Sequence, residues 1–475
     1  MKTAKVKIGL FGIGHATYWN QYKGLLERLQ GYQKVIHTKM ADGGADVVDA
    51  GMIDSPETAR DAAALFKKED VALIFVYVST YALSHNVLPV VQKTKVPVII
   101  LNLQPGKAID YKWFNALGDR TAMTGEWLAN CQGCSVPEIA CVFNRAGIQF
   151  HQITGTLDDK ESWQEIFDWM EAAKVAEVMR SNRMGFLGHY YNGMLDVYSD
   201  LTQHAVFFGS HIEIIEMDDL KALRDTVTEA EIKAKTEEIQ REFVVAPDTP
   251  ADELKRAART AVALDKLVAK HKLGSMAYYY DGAPGNEHED LITSVITGNS
   301  LLTARNVPVA GEAEVKNVQA MKIMDTFGVG GSFTEFYLMD FEKDEVLMGH
   351  DGPGHLKIAD GKPVLKPLKE YHGKPGKGIS VEMKVKMGPA TVLAVVQTRE
   401  GKLKMIYAEG ESVPGPILEI GNTNSRYKFP VSVKKFMNDW SKQGPSHHCA
   451  IGVGHIGTKI EKLGAILDME VVKVC

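Results

Sequence analysis

The sequence predicts an α/β protein in which two doubly wound domains precede a β-rich, barrel-like C-terminal domain. Three observations carry this. As far as residue 327, short apolar runs alternate with stretches of helical composition, the pattern of parallel strands covered on both faces by helices. After Gly328 the chain changes to short strands and turns, which argues for an antiparallel sheet curled towards a barrel. At 475 residues it is also too long for one core, so about three domains are expected. The boundaries follow the changes of pattern: 1–180 for an N-terminal α/β domain, 181–327 for a central one, and 328–475 for the β-rich domain.

Taken in order, residues 5–14 (KVKIGLFGIG), 71–80 (VALIFVYVST), 96–103 (VPVIILNL) and 138–143 (EIACVF) are strand-like, with a helical stretch over 81–91. The turn Gly12-Ile13-Gly14 lacks the third glycine of a dinucleotide loop and a clearly placed acid about 20 residues on. It reads instead as a close turn lining the ligand crevice at the strand ends of a Rossmann-like sheet. Residues 163–179 read as a helix, and Arg183–Gly188 as the strand that opens the second α/β unit. The stretch 218–243 is helical in composition. Thr249 is placed to cap the next helix, with Pro250 at its first position and Gly274 beyond its basic end, Lys270-His271-Lys272. Residues 275–280 form a strand. Beyond Gly328 the clearest hairpin joins 392–396 to 403–407 through Arg399-Glu400-Gly401-Lys402.

With 45% hydrophobic and 24% charged residues the composition is that of a soluble globular protein. A net charge of -6 without a basic stripe argues against a surface for nucleic acid or anionic membrane. No apolar run is long enough to span a bilayer, and the first residues lead straight into a strand rather than a signal peptide. Five cysteines, an odd number without an export signal, read as reduced thiols of a cytoplasmic protein. Cys131-Gln132-Gly133-Cys134 has no second CxxC to complete a zinc site and reads as a loop with two thiols.

Groups able to hold a metal and move a proton concentrate between Val307 and His355. Glu312 and Glu314 precede apolar residues at helical spacing (Val315, Val318, Met321, Met324, Phe327), which puts the acids in a helix's first turn, where the dipole favours carboxylates. In the strand-like run SFTEFYLMD, alternation puts Phe333, Glu335 and Tyr337 on one face. The polar turn Glu342-Lys343-Asp344-Glu345 then reverses the chain and brings His350 alongside. A further ligand is expected from His447-His448, at a strand's start where adjacent histidines can point opposite ways. Carboxylate and imidazole ligands suit manganese or a similar divalent cation. A cation that polarises a hydroxy-carbonyl pair, with a carboxylate on each side of the carbon chain, can move a proton between neighbouring carbons through an ene-diol. Singly, each residue has a plainer reading: Glu312 and Glu314 as dipole-favouring acids, Glu335 as an edge-strand guard, His350 and His355 as turn residues, His447-His448 as a polar loop.

Their joint order resembles the L-arabinose isomerase family. That family's Ala-Gly-Glu-Gly-Asp-Trp-Lys is similar to Ala310-Gly311-Glu312-Ala313-Glu314-Val315-Lys316, its Ser-Phe-Met-Glu to Ser332-Phe333-Thr334-Glu335, its Gly-Ser-His to Met348-Gly349-His350, and its Gly-Ala-His-His to Pro445-Ser446-His447-His448. The resemblance implies an aldose–ketose isomerase with Glu312 and Glu335 catalytic. It implies a divalent cation, Mn2+ or another such as Co2+ or Mg2+, held by Glu312, Glu335, His350 and His448. Phe333, His447 and, through Asn192-Gly193-Met194, Met194 would line the sugar pocket. It further implies a homo-oligomer, a hexamer, in which His15 and Thr17 face a neighbouring subunit's metal. Where the family has Gly-Ser-Gln-His-Leu-Tyr this chain has Gly12-Ile13-Gly14-His15-Ala16-Thr17-Tyr18. The polar and apolar side chains that would read the sugar are reduced to Gly14 and Ala16. Alternatives are therefore an isomerase or epimerase for a different sugar, and a non-catalytic sugar-binding protein on the same scaffold. The tyrosines of 278–280 are open between a sugar pocket and, for at least two of them, core or interface.

Overall fold

Five segments of the first 177 residues become strands β1 (Lys7–Ile13), β2 (Asp46–Ile53), β3 (Leu73–Tyr77), β4 (Val98–Gln104) and β5 (Phe150–Thr156). The structure, a computed structural model, describes residues 5–94, 96–283, 285–371 and 374–475. It divides into two compact units, Met1–Glu177 and Val178–Cys475.

In the first unit the strands are all parallel, in the order β2-β1-β3-β4-β5. Every residue of β3 is buried, as a central parallel strand requires. Phe66, Val87, Val90, Ile139 and Phe143, from three helices, pack on Ile74 and Val76. Two of those helices are Pro56–Glu69 and Ser84–Val91. The third, Ser135–Ala146, contains the EIACVF run expected as a strand. Its Val136, Ile139 and Phe143 fall at spacings of three and four, which puts them on one helical face. The exposed edge of β2 had no apolar run to announce it. At the end of β1, Gly14 donates its N–H to the Ile53 carbonyl at 2.9 Å. A Cβ on Gly14 would lie 2.6 Å from the Trp19 ring, so no side chain fits there without displacing it. His15 is half-buried with its ring 5.1 Å from Tyr18, and Thr17, exposed, begins the short helix Thr17–Gln21.

The second unit opens with a parallel sheet in the order Val309–Ala310, Ser275–Tyr279, β6 (Arg183–Gly188) and β7 (His211–Ile215). The helical stretch after it splits in two, Met217–Asp225 and Glu229–Glu242, because Thr228 starts a new helix through a capping box with Glu231. Helix Ala251–His271 begins one residue later than a Thr249 cap requires: Pro250 occupies the cap, and the Thr249 hydroxyl donates instead to the Leu365 carbonyl at 3.2 Å.

Beyond it lies an antiparallel ring. The strands run Gly388–Gln397, His448–Val453, Gly330–Asp340, Glu345–His350, Thr423–Lys428 and Leu403–Val413, and the last pairs again with the first, closing a barrel. Helix Val315–Thr326 packs against three of these strands and against Ser275–Tyr279. It is buried from Val315 through Met324, Lys316 and Lys322 included, as a helix surrounded by protein must be. The apolar core runs without a break from Leu187 and Met276 of the sheet to Met348, Val392 and Ile451 of the barrel.

Candidate active site

Strand register builds one wall. In the antiparallel ladder Glu335 stands opposite His448 on one side and Gly349 on the other, so the strand start at His448 and the strand end at His350 flank it. Phe333, two residues earlier and fully buried, packs its ring 4.2 Å from that of His350 and 4.5 Å from that of His448. It therefore backs the histidines rather than lining open space.

Glu312 comes from a turn. It was expected in a helix's first turn, but the helix begins at Val315, with Glu314 as its cap accepting the Lys316 N–H at 3.2 Å. Glu312 and Ala313 both adopt left-handed backbone, with φ of 56° and 55°. Each such residue costs on the order of 1–3 kcal/mol and persists only where its surroundings enforce it. Here the Ala313 N–H is tied to the Tyr278 carbonyl at 2.9 Å and the Glu314 N–H to the Gly311 carbonyl at 3.0 Å. The strained turn projects the Glu312 carboxylate at the histidines.

The Nε2 atoms of His350 and His448 face each other at 3.2 Å. Glu312 Oε2 is 3.3 Å from His448 Nε2, and Oε1 is 3.9 Å from His350 Nε2. Glu312, His350 and His448 thus offer ligand atoms within 4.8 Å of one another, and Glu335, His447 and His448 do the same. The two groups share His448.

His447, just outside its strand, does not point away from His448: the two rings lie 3.8 Å apart. Its Nε2 is 3.7 Å from Glu312 Oε2 and 3.8 Å from Glu335 Oε2, and its Nδ1 is 2.6 Å from Asp196 Oδ2. Burial opposes charge on this imidazole, but Glu312 and Asp196 outweigh it and raise its pKa to about 9. Burial also raises the Glu335 carboxyl above the usual range, against the pull of the His448 and His447 rings. For Glu314, fully buried, the Lys316 ammonium and His448 overcome the burial and hold the carboxyl below its ordinary range.

These residues fit a divalent cation. Glu312 Oε2 is buried without a hydrogen-bond donor, and two imidazole nitrogens that share one hydrogen bond converge beside it, an oxygen and nitrogen set that a divalent cation would satisfy in place of that shared proton. His448 is oriented as a ligand should be, with Nδ1 turned to the Glu314 carboxylate 3.7 Å away. His350 Nδ1 accepts the Gly352 N–H at 2.9 Å. Ligation through its Nε2 would move the ring proton to Nδ1 and displace the Gly352 N–H from it, with Asp351, 3.7 Å away, as the available acceptor.

A cavity of about 100 Å³ adjoins the cluster, lined by Tyr278, Tyr279, Glu312, His350 and Asp351 among others. That is well under the roughly 300 Å³ of a drug-sized pocket, so it takes a small molecule. Asp351 also borders an open groove reached by Glu335 and Tyr337. Tyr278 and Tyr279 are largely buried, yet both contribute to the cavity wall. Met194 lies in a turn two residues before Asp196 and does not line this cavity. Asp196 and Asp351 went unread in the sequence because no motif marks them, and Lys316, the last residue of the Ala310–Lys316 segment, was given no role. Only the closeness of Lys316 and Asp351 to the candidate ligands was a signal.

Residues 330–470 match the family described as L-arabinose isomerase C-terminal domain, a span that includes Glu335, His350, His447 and His448. The chain is 22% identical over 435 residues to L-arabinose isomerase of Bacillus subtilis (strain 168), covering 84% of this chain and 80% of that one. It is 22% identical over 303 residues to that of Cellvibrio japonicus (strain Ueda107), covering 61% and 59%. Against that of Aeromonas salmonicida (strain A449) the figures are 20% over 407 residues, 82% and 77%. The barrel match and the relatives that extend over most of its length make this chain similar to L-arabinose isomerases and support that family.

Proposed function

We propose that the protein is an aldose–ketose isomerase acting on a small sugar, L-arabinose to L-ribulose or a related pair. Glu312, Glu335, His350 and His448 would hold a divalent cation, Mn2+ by the oxygen and nitrogen character of the set. The observation that supports this most is the convergence of Glu312, His350 and His448 from a turn and two barrel strands onto one point. When bound, the cation supplies Lewis-acid polarisation of the substrate's neighbouring oxygens.

The chain's own groups do the rest. Glu335, half-buried opposite His448, and Glu312 take and return the proton between carbons one and two. His447 stands between the two carboxylates with a charged ring that favours developing negative charge on a substrate oxygen. Phe333 keeps the two ligand rings from turning. The assembly is a hexamer of the cytoplasm, with His15 and Thr17 reaching a neighbour's pocket.

A different aldose is the second reading, favoured by Gly14, where the Trp19 ring occupies the place of any side chain. A panel of aldoses incubated with Mn2+, with and without a chelator, tests both. Ketose from L-arabinose supports the first, ketose from another sugar alone supports the second, and no ketose from any sugar refutes both.

A further inference from the structure

The loop that follows β6 is tied to the site from two directions. Asp196 Oδ2 accepts the backbone N–H of His447 at 3.0 Å and the Nδ1–H of the same residue at 2.6 Å. One carboxylate oxygen thus fixes both the chain and the ring of His447, across 251 positions of sequence. The ring cannot rotate without breaking the second bond, and so its Nε2 stays 3.7 Å from Glu312 and 3.8 Å from Glu335.

The loop is held in turn by Lys316. Its buried ammonium donates to the Asp196 carbonyl at 2.8 Å and the Val197 carbonyl at 3.4 Å, and pairs with Glu314 Oε1 at 3.0 Å. Glu314 Oε2 is the atom that faces His448 Nδ1. A single run of polar contacts therefore joins the two adjacent histidines by their outer nitrogens: His448, Glu314, Lys316, the 196–197 backbone, the Asp196 side chain, His447.

We propose that Asp196 is a positioning residue for the reaction: through His447 it fixes the edge of an imidazole between the two acid–base carboxylates, with Lys316 anchoring the loop that carries it. This rests on the isomerase reading of the same site. The Asp196 side chain does not line the cavity beside the ligand cluster, and its contacts at the site are with His447. A carboxylate on the far nitrogen of an active-site imidazole sets its tautomer and its aim. The Asp196 side chain is 40% exposed, so shortening it opens no core cavity.

The test uses the full-length protein loaded with Mn2+ and the aldose that the panel identifies. In Asp196→Ala, kcat falls by about tenfold to 100-fold while KM stays within about threefold, the signature of lost orientation. Mn2+ affinity by calorimetry and the thermal midpoint stay at wild-type values, and Asp196→Asn, which keeps an acceptor for the backbone N–H, is intermediate. Unchanged kcat in Asp196→Ala, or a loss matched by weaker Mn2+ binding, overturns the proposal. A readout free of turnover comes from protein labelled with nitrogen-15 histidine: the wild type shows a strongly deshielded His447 Nδ1 proton, absent from both variants. Its absence from the wild type overturns the proposal whatever the activity. A wild type that shows the proton but converts no aldose refutes the isomerase reading instead, and the positioning role with it.

Discussion

His350 and His448 present their Nε2 atoms to each other at 3.2 Å, each ring pinned from behind by Phe333. A divalent cation placed between these nitrogens would be ligated by both rings. His448→Asn therefore lowers Mn2+ affinity by about 100-fold or more, since loss of even an outer partner of a ligand costs 10- to 100-fold. Titration calorimetry of the purified chain reads this directly. Affinity within about threefold of wild type would remove His448 from the set.

Glu335 carries a carboxyl raised by burial and stands opposite His448 in the ladder. Glu335→Gln keeps its shape and removes its base, so kcat falls by about 10²- to 10⁴-fold. Ketose formation under saturating sugar and Mn2+ measures it. A variant with half the wild-type rate would assign the proton transfer elsewhere.

Glu314 and Lys316 form a buried ion pair at 3.0 Å. Replacing one partner leaves the other charge uncompensated, at a cost of about 3–5 kcal/mol. Glu314→Gln is expected to lower the free energy of unfolding by about 3 kcal/mol in denaturant titration and to weaken Mn2+ binding by about tenfold, because His448 loses its carboxylate. Glu314→Gln with wild-type stability would show that Lys316 does not need its partner.

His204 is fully buried, its Nε2 2.7 Å from the Ser199 hydroxyl. Burial first, and the nearby Lys316 ammonium second, depress its pKa from 6.5 to about 4. The unfolded chain protonates this imidazole near pH 6.5 and the folded one only near pH 4, so stability falls as pH drops through that window and its loss is complete below it. The loss amounts to about 3 kcal/mol at most. In His204→Gln the unfolding free energy changes less between pH 7 and pH 4 by that amount. Parallel curves for the two proteins would contradict it.

Much of this was legible in the sequence, for identifiable reasons. The hairpin from Gly330 to His350 shows as alternating side chains around a polar turn, and the same alternation puts Phe333 and Glu335 on one face. What failed was local and short. EIACVF is apolar at every position but one, and a six-residue window cannot separate a strand from a helix; only Val136, outside it, reveals the helical spacing. Glu312 was assigned to a helix because left-handed backbone at two consecutive non-glycine residues leaves no compositional trace. The Asp196 clamp joins residues 251 positions apart through a loop without a motif, so nothing short of the folded chain brings it to notice.

The most direct measurement is a crystal of the protein soaked in Mn2+ and recorded at the manganese absorption edge. One anomalous peak per chain, within bonding distance of Glu312, Glu335, Nε2 of His350 and Nε2 of His448, is the expected result, at about 2.0–2.2 Å from each ligand atom. A peak elsewhere, or no peak at Mn2+ concentrations that support ketose formation, would contradict it.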